Sequence, residues 1–263
     1  MKKYDLSVVI PGIRVKNWKS IYDQLKLSCK KFSYEIIFSS PYELPDELKD
    51  KQNIKHILDY GSPSRCLQHS TTVSEAEMVA IMSDDCIIFE NSIDSAIEEL
   101  KNSNDPYKNI VALRYTEGAN FIANPNDFSF KYWIAKTHTD LRLEGIQDNW
   151  KLCIMFLMNT DRFKELGGID CRFEHFNMNL HDLAFRAQRD GSDIIISKNF
   201  ITAQDWNPNV NIDNNPTVQA YHFNDKPLFY SIYSTKEAAE KREIKINYDN
   251  WKSTEEVWKR RIK

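Results

Sequence analysis

Glycine is scarce: the 263-residue chain has only seven. Flexible linkers and glycine-rich phosphate loops therefore have little to be built from. The longest unbroken apolar run is Leu152 to Met158, short of the ~20 residues a membrane-spanning helix needs. The opening Met-Lys-Lys-Tyr-Asp leads into a strand-like run without a signal-peptide apolar region. The five cysteines (Cys29, Cys66, Cys86, Cys153 and Cys171) are odd in number, widely spaced and free of any CxxC pair. A disulfide framework or zinc site is not expected, and a reducing, cytoplasmic setting fits best. An excess of positive charge is also missing: 35 Lys and Arg stand against 38 Asp and Glu, a formal charge of −3. That balance argues against nucleic-acid binding and against a polybasic membrane patch.

What is present reads as a folded α/β chain. Hydrophobic residues make up 41% and charged residues 28%, a globular composition. At ~150 residues per domain the length allows one or two domains. Leu6 to Pro11 is a continuous apolar run closed by proline, the form of a buried parallel strand. Trp18, Ile21, Tyr22 and Leu25 follow at helical spacing. Tyr34–Phe38, Lys55–Asp59 and Met78–Met82 are further strands. Helices are expected over Arg65–Ser74 and Ser92–Leu100, and an extended piece over Cys86–Phe89. This alternation predicts a mainly parallel sheet with helices on both faces. The second half is less regular. Strands are expected at Ile110–Tyr115, Leu152–Met158 and Asp193–Ser197, and helices after Asn159 or Thr160, over Leu180–Asp190 and over Ser253–Arg261. Residues 116–150 are polar, aromatic and weakly patterned, as in a long functional loop. The simplest division is one domain over residues 1–200 with an extension, residues 201–263, packed on it.

In open parallel sheets ligands bind beyond the carboxyl ends of the strands. Asp84 and Asp85 stand at such an end, directly after Met-Val-Ala-Ile-Met. Hard carboxylate oxygens suit Mg²⁺ or Mn²⁺, which take one or two protein carboxylates together with substrate phosphates. A polar turn is the plainer alternative for the same pair.

Four segments carry a resemblance. They are LSVVIPGIR at 6–14, YEIIFSSP at 34–41, GSPSRCLQHSTTVSEAEMVAIMSDD at 61–85 and LGGIDCRFEHFNMNLHDLAFRAQRDG at 166–191. In this order they resemble the inverting, GT-A-fold glycosyltransferases of family 2. The resemblance implies a GT-A sheet and transfer of a sugar from a nucleotide-sugar donor, UDP-linked by preference, to an acceptor hydroxyl of a glycan. It also implies Mn²⁺ or Mg²⁺ held by Asp85, with His222 as a further ligand from the C-terminal segment. Pro11, Ser39, Arg65 and Asp84 are the implied donor contacts, and Asp182 is the implied general base. Trp150, His181 and Trp206 are candidates for the acceptor site. Three positions depart from the family pattern. Ser83 replaces the first Asp of the metal motif, Ser39-Ser40 stands where a base-reading acid is common, and His181 replaces the Glu before the catalytic Asp.

The chemistry asks for such parts. A departing nucleoside diphosphate gathers negative charge that a cation or fixed donors must offset. The acceptor hydroxyl is a poor nucleophile, and a positioned base removes its proton. Two other readings remain open at this point. One is a nucleotidyltransferase on a related fold, weakened by a 11–17 loop with a single glycine. The other is a degenerate GT-A-like protein that binds glycans or partners without catalysis.

Overall fold

The structure is a computed structural model, and it describes residues 2–117, 132, 133, 151, 155–204 and 215–254. In chain order its first half runs β1 (Tyr4–Pro11), α1 (Val15–Ser28), β2 (Tyr34–Ser40), α2 (Asp46–Lys49), β3 (Ile54–Leu58), α3 (Pro63–Thr72), β4 (Ala76–Ile81), β5 (Cys86–Ile88) and α4 (Ser92–Lys101). Then come β6 (Ile110–Ala112), β7 (Tyr115–Glu117), β8 (Tyr132–Trp133), β9 (Phe156–Asn159), α5 (Thr160–Glu165), α6 (Phe176–Arg189), β10 (Ile194–Ile196) and β11 (Thr202–Gln204). The C-terminal part holds α7 (Asn215–Ala220), a π-helical turn (Tyr221–Asp225), α8 (Lys226–Ile232), α9 (Lys236–Lys241) and a 3₁₀ turn (Tyr248–Ser253).

Among the described residues the main sheet has seven strands in the order β10-β6-β9-β4-β1-β2-β3. All its pairings are parallel except those of β9, which runs against both β4 and β6. The expected mainly parallel sheet is therefore what forms. Strand alternation divides the core in two. Leu6, Val8, Ile10, Ile36 and Phe38 face α1 and α4, where Trp18, Ile21, Leu25, Ile93 and Ile97 are buried. Val9, Ile37, Val79 and Ile81 face the other way, against Leu67 of α3, Phe163 of α5 and Leu180, Leu183 and Ala187 of α6. Each face receives helices because each central strand is apolar on both sides.

The differences from the expected elements have local causes. Ile110–Tyr115 divides into β6 in the main sheet and β7 in a second, four-stranded sheet ordered β5-β11-β7-β8. Cys86–Phe89 contributes β5 to that second sheet, antiparallel to β11. α6 begins at Phe176, four residues before its apolar stripe, because the His175 ring accepts the Asn177 backbone N–H at 3.0 Å and caps the helix. A histidine cap falls outside the usual Ser, Thr, Asp and Asn signals. The helical run 215–232 was not apparent from periodicity. Of the expected Ser253–Arg261 helix, residues 255–261 lie outside the described residues.

The Gly167-Gly168 stop after α5 does more than end a helix. Gly167 has φ +81°, and a Cβ there would lie 2.0 Å from the carbonyl oxygen of Ile246. Ile246 N–H in turn donates to Leu166 O at 3.2 Å, so the clash is with backbone fixed in place. Gly167→Ala is expected to destabilise by roughly 2–4 kcal/mol, combining left-handed strain with the displaced C-terminal strand of chain. Urea unfolding would show it as a lowered midpoint, and an unchanged midpoint would contradict this packing.

Candidate functional site

The carboxyl edge of the parallel strands gathers most of the residues singled out from sequence. Pro11 and Ser39 are register partners at the ends of β1 and β2, and Gly12 N–H donates to Ser39 O at 3.0 Å. Ser83, Asp84 and Asp85 follow β4, the neighbour of β1 on its other side. The turn joining β3 to α3 completes the edge. There Ser62 accepts the Arg65 N–H at 3.2 Å, and Pro63 opens the helix.

The adjacent carboxylates differ sharply. Asp84 is 2% exposed. Its Oδ2 accepts the backbone N–H groups of Ile13 (2.8 Å) and Arg14 (2.6 Å), and its Oδ1 accepts from the Arg14 guanidinium at 2.7 Å. Asn17 also donates to its carbonyl at 2.9 Å. Burial pushes the Asp84 carboxyl above its ordinary range, and Arg14 opposes that shift. These bonds tie the strand-end turn to the start of α1, so both oxygens are engaged within the chain. The ribose contact expected of Asp84 would have to share Oδ1 with Arg14. Asp85 retains 23% side-chain exposure. Ser83 Oγ donates to it, and Arg14 lies 3.8 Å from its Oδ2.

Asp85 can therefore offer one carboxylate to a cation. With diphosphate oxygens and water completing the shell, that is a set Mg²⁺ or Mn²⁺ accepts. Among the described residues no group of three or more His, Cys, Asp or Glu side chains is placed to hold a metal alone. His222 is exposed on the π-helical turn. Its ring neighbour is Tyr221, at 5.0 Å between centroids, and among the described residues no contact joins it to Asp85.

Arg65 is held differently from expectation. Its Nε donates to Asp59 at 3.0 and 3.1 Å. Its NH1 donates to the carbonyls of Trp251 (2.5 Å) and Thr254 (3.0 Å). His69 shares Asp59 at 2.8 Å and stacks on Trp251 with centroids 4.2 Å apart. Burial would raise the Asp59 carboxyl, but the bonds from His69, the Gly61 amide and Arg65 outweigh it and hold it below its ordinary value. The sequence reading missed Asp59 and Trp251. An acid directly at the end of β3, six residues before the arginine, was the available signal.

Asp182, the expected general base, is held by four hydrogen bonds. It lies on α6, fully buried. Its Oδ2 accepts from Arg186 Nε at 2.8 Å and Arg242 NH2 at 3.1 Å. Its Oδ1 accepts from Arg242 Nε at 2.8 Å and Tyr233 Oη at 2.6 Å. Burial alone would raise its pKa, but Arg186, Arg242 and then Tyr233 hold it at about 2. A general base needs an open lone pair and a pKa near the working pH. The four hydrogen bonds leave Asp182 no open lone pair in this arrangement, and they tie α6 to the C-terminal segment. His181 likewise turns inward, 8% exposed, with its ring edge against Phe229 at 6.3 Å. Trp150 and Trp206 lie outside the described residues.

The start of α6 reaches the same edge. Ser64 N–H donates to Glu174 O at 3.4 Å, and Ser64 Oγ to His175 O at 3.3 Å. Asp225, buried in the π-helical turn, accepts the N–H groups of Glu174 (2.8 Å) and His175 (2.7 Å). Burial, with His222 adding to it, lowers the His175 imidazole to about 4.

A parallel sheet with its one reversed strand, a small second sheet and a strand-end Asp pair define the GT-A fold. S. aureus TarS has this fold. A TarS fragment of residues 1–349 superposes with a TM-score of 0.54 at 12% identity, over 76% of this chain and 60% of that one. The same fragment in complex with UDP gives 0.51 at 11% identity, over 84% of this chain and 66% of that one. This chain thus spans about three-fifths of the TarS fragment's length in the first of these superpositions. No protein-family profile matches the sequence, and no curated protein is significantly similar to it.

Proposed function

We propose that this protein is a glycosyltransferase that takes a sugar from a nucleotide-sugar donor, UDP-linked by preference, and passes it to a glycan hydroxyl with inversion. The observation that carries the reading is the convergence of Pro11, Ser39 and Asp85 on one carboxyl edge of a GT-A sheet. The likeness to TarS, one of whose structures contains UDP, agrees with it. In this reading the nucleotide lies along the ends of β1 and β2, with Arg65 and Asp59 at its far side. Asp85 would hold Mg²⁺ or Mn²⁺, which when bound offsets charge on the departing diphosphate. Asp84 and Arg14 keep the Asp85 turn rigid, so its carboxylate needs little reorganisation. The four hydrogen bonds that occupy Asp182 favour a second reading: a GT-A-like protein that binds donor or glycan without transfer.

Isothermal titration of UDP with and without Mn²⁺ tests the common part. Micromolar affinity in Mn²⁺ is expected, with Asp85→Asn weakening it by about tenfold or more, since one of few ligands is lost. Absence of UDP affinity in either condition would refute the donor site. Release of free sugar from UDP-sugars would then separate the enzyme from the binder.

A further inference from the structure

The π-helical turn Tyr221–Asp225 is the least explained part of the described chain. π turns cost hydrogen-bond geometry and occur most often where function requires them. This one is held in place by Asp225, whose buried carboxylate takes both backbone N–H groups at the start of α6. The turn is thereby fixed beside Ser64, at the carboxyl edge that carries Arg65 and Asp59. The turn carries three rings in a row, the first of which meets the cap of α6. His175 packs edge-on against Tyr221 at 5.5 Å, and Tyr221 against His222 at 5.0 Å. The next residue, Phe223, is 83% exposed, well beyond any other large hydrophobic described. Neighbours on the same helical run do the opposite: Asp225, Phe229 and Tyr233 are fully buried.

The polar equipment around these rings is defined as well. His175 Nδ1 accepts the Asn177 N–H at 3.0 Å. It therefore carries no proton, and the neutral ring presents Nε2–H as a donor. His222 adds a second, exposed imidazole. Exposed aromatic faces beside neutral donors and acceptors match a pyranose ring, with C–H groups on its face and hydroxyls at its rim. They match poorly a phosphate, which calls for fixed cations.

We propose that His175, Tyr221, His222 and Phe223 form the subsite for the acceptor saccharide, with Phe223 as its stacking platform. The proposal rests on the glycosyltransferase reading and gives it a place for the second substrate. It also gives the π turn a purpose. The wider turn lets Tyr221 meet the His175 ring while Asp225 still reaches the N–H groups of Glu174 and His175.

An array of defined neutral oligosaccharides, read with labelled full-length protein, tests this alongside UDP titration. Wild type is expected to bind a restricted set of glycans. Phe223→Ala should weaken that binding by about tenfold, as loss of a central aromatic contact does, with UDP affinity unchanged. His175→Asn, which keeps a helix cap, should also weaken it. UDP binding with no glycan binding, or glycan binding indifferent to Phe223→Ala and His222→Ala, overturns the subsite and leaves the donor reading intact. Phe223-dependent glycan binding without UDP affinity upholds the saccharide site and removes the transferase reading. A Phe223-dependent dimer in sedimentation that replaces glycan binding also overturns the proposal.

Discussion

Asp182→Ala is expected to unfold most of the chain's C-terminal half before it reveals anything about catalysis. The substitution removes an acceptor of four hydrogen bonds and leaves Arg186, which is fully buried, without its carboxylate. Arg242 retains Asp170 at 2.7 Å, but Tyr233 Oη loses its 2.6 Å bond to Asp182. Breaking a buried pair from one side costs about 3–5 kcal/mol, mostly through the charge left behind. Chemical denaturation should show a loss of that order, and limited proteolysis should cut first between residues 215 and 254. Asp182→Asn should fall between, because an amide accepts fewer of these bonds and bears no charge. The wild type should echo this in acid. The folded Asp182 carboxyl lies at about 2 against an ordinary 3.8. A depressed folded pKa contributes stability above the unfolded value and loses it as pH falls through the folded one. The network's contribution, roughly 2 kcal/mol by that linkage, should fade between about pH 4 and pH 2. A variant as stable as wild type would show that Asp182 is no anchor.

The network around Asp182 shows what the sequence could and could not convey. β1, β2 and β4 were legible because each is a short apolar run bounded by turn residues, and β3 because it recurs in the same alternation with helices. α1 was legible because Trp18, Ile21, Tyr22 and Leu25 keep one face. The carboxyl edge was legible too, since the order of strands places Pro11, Ser39 and Asp85 there once the sheet is parallel. What a residue does at that edge was not. Asp182 and Arg186 are four apart on one helix, a spacing that serves an ion pair as well as a catalytic site. Its other partners, Tyr233 and Arg242, come from 51 and 60 residues away. No local pattern announces such contacts. The same holds for Arg65, whose carbonyl partners Trp251 and Thr254 lie 186 and 189 residues on. In the C-terminal helices the apolar set is short, Leu228, Phe229, Ile232 and Tyr233, and it packs against Phe173 and Phe185 from distant parts of the chain.

The two carboxylates after β4 are expected to separate cleanly when mutated one at a time. Asp84→Ala removes the acceptor of two backbone N–H groups and of the Arg14 guanidinium, all at a site 2% exposed. Ile13 and Arg14, just before α1, then lose the acceptor of their N–H groups, and the helix loses an anion near its positive end. Arg14, only 10% exposed, loses its 2.7 Å ion pair with Asp84. About 3 kcal/mol or more should be lost, by the same reasoning that applies to any half-broken buried pair. Asp85→Ala removes a carboxylate that is partly in solvent and touches Arg14 at 3.8 Å. Such pairs contribute about 0–1 kcal/mol, so the melting temperature should hardly move. Their effects on ligand binding should run the other way. Asp85→Ala should abolish the Mn²⁺ dependence of UDP affinity in an otherwise intact protein. Asp84→Ala should weaken UDP binding only as far as it loosens the turn, and lowering the temperature to restore the fold should recover it. Thermal melts and UDP titrations on the two variants, run side by side, check both halves. Equal destabilisation by the two substitutions would overturn the division between an anchoring and a ligating carboxylate. So would Mn²⁺-dependent binding that survives Asp85→Ala and vanishes with a fully folded Asp84→Ala.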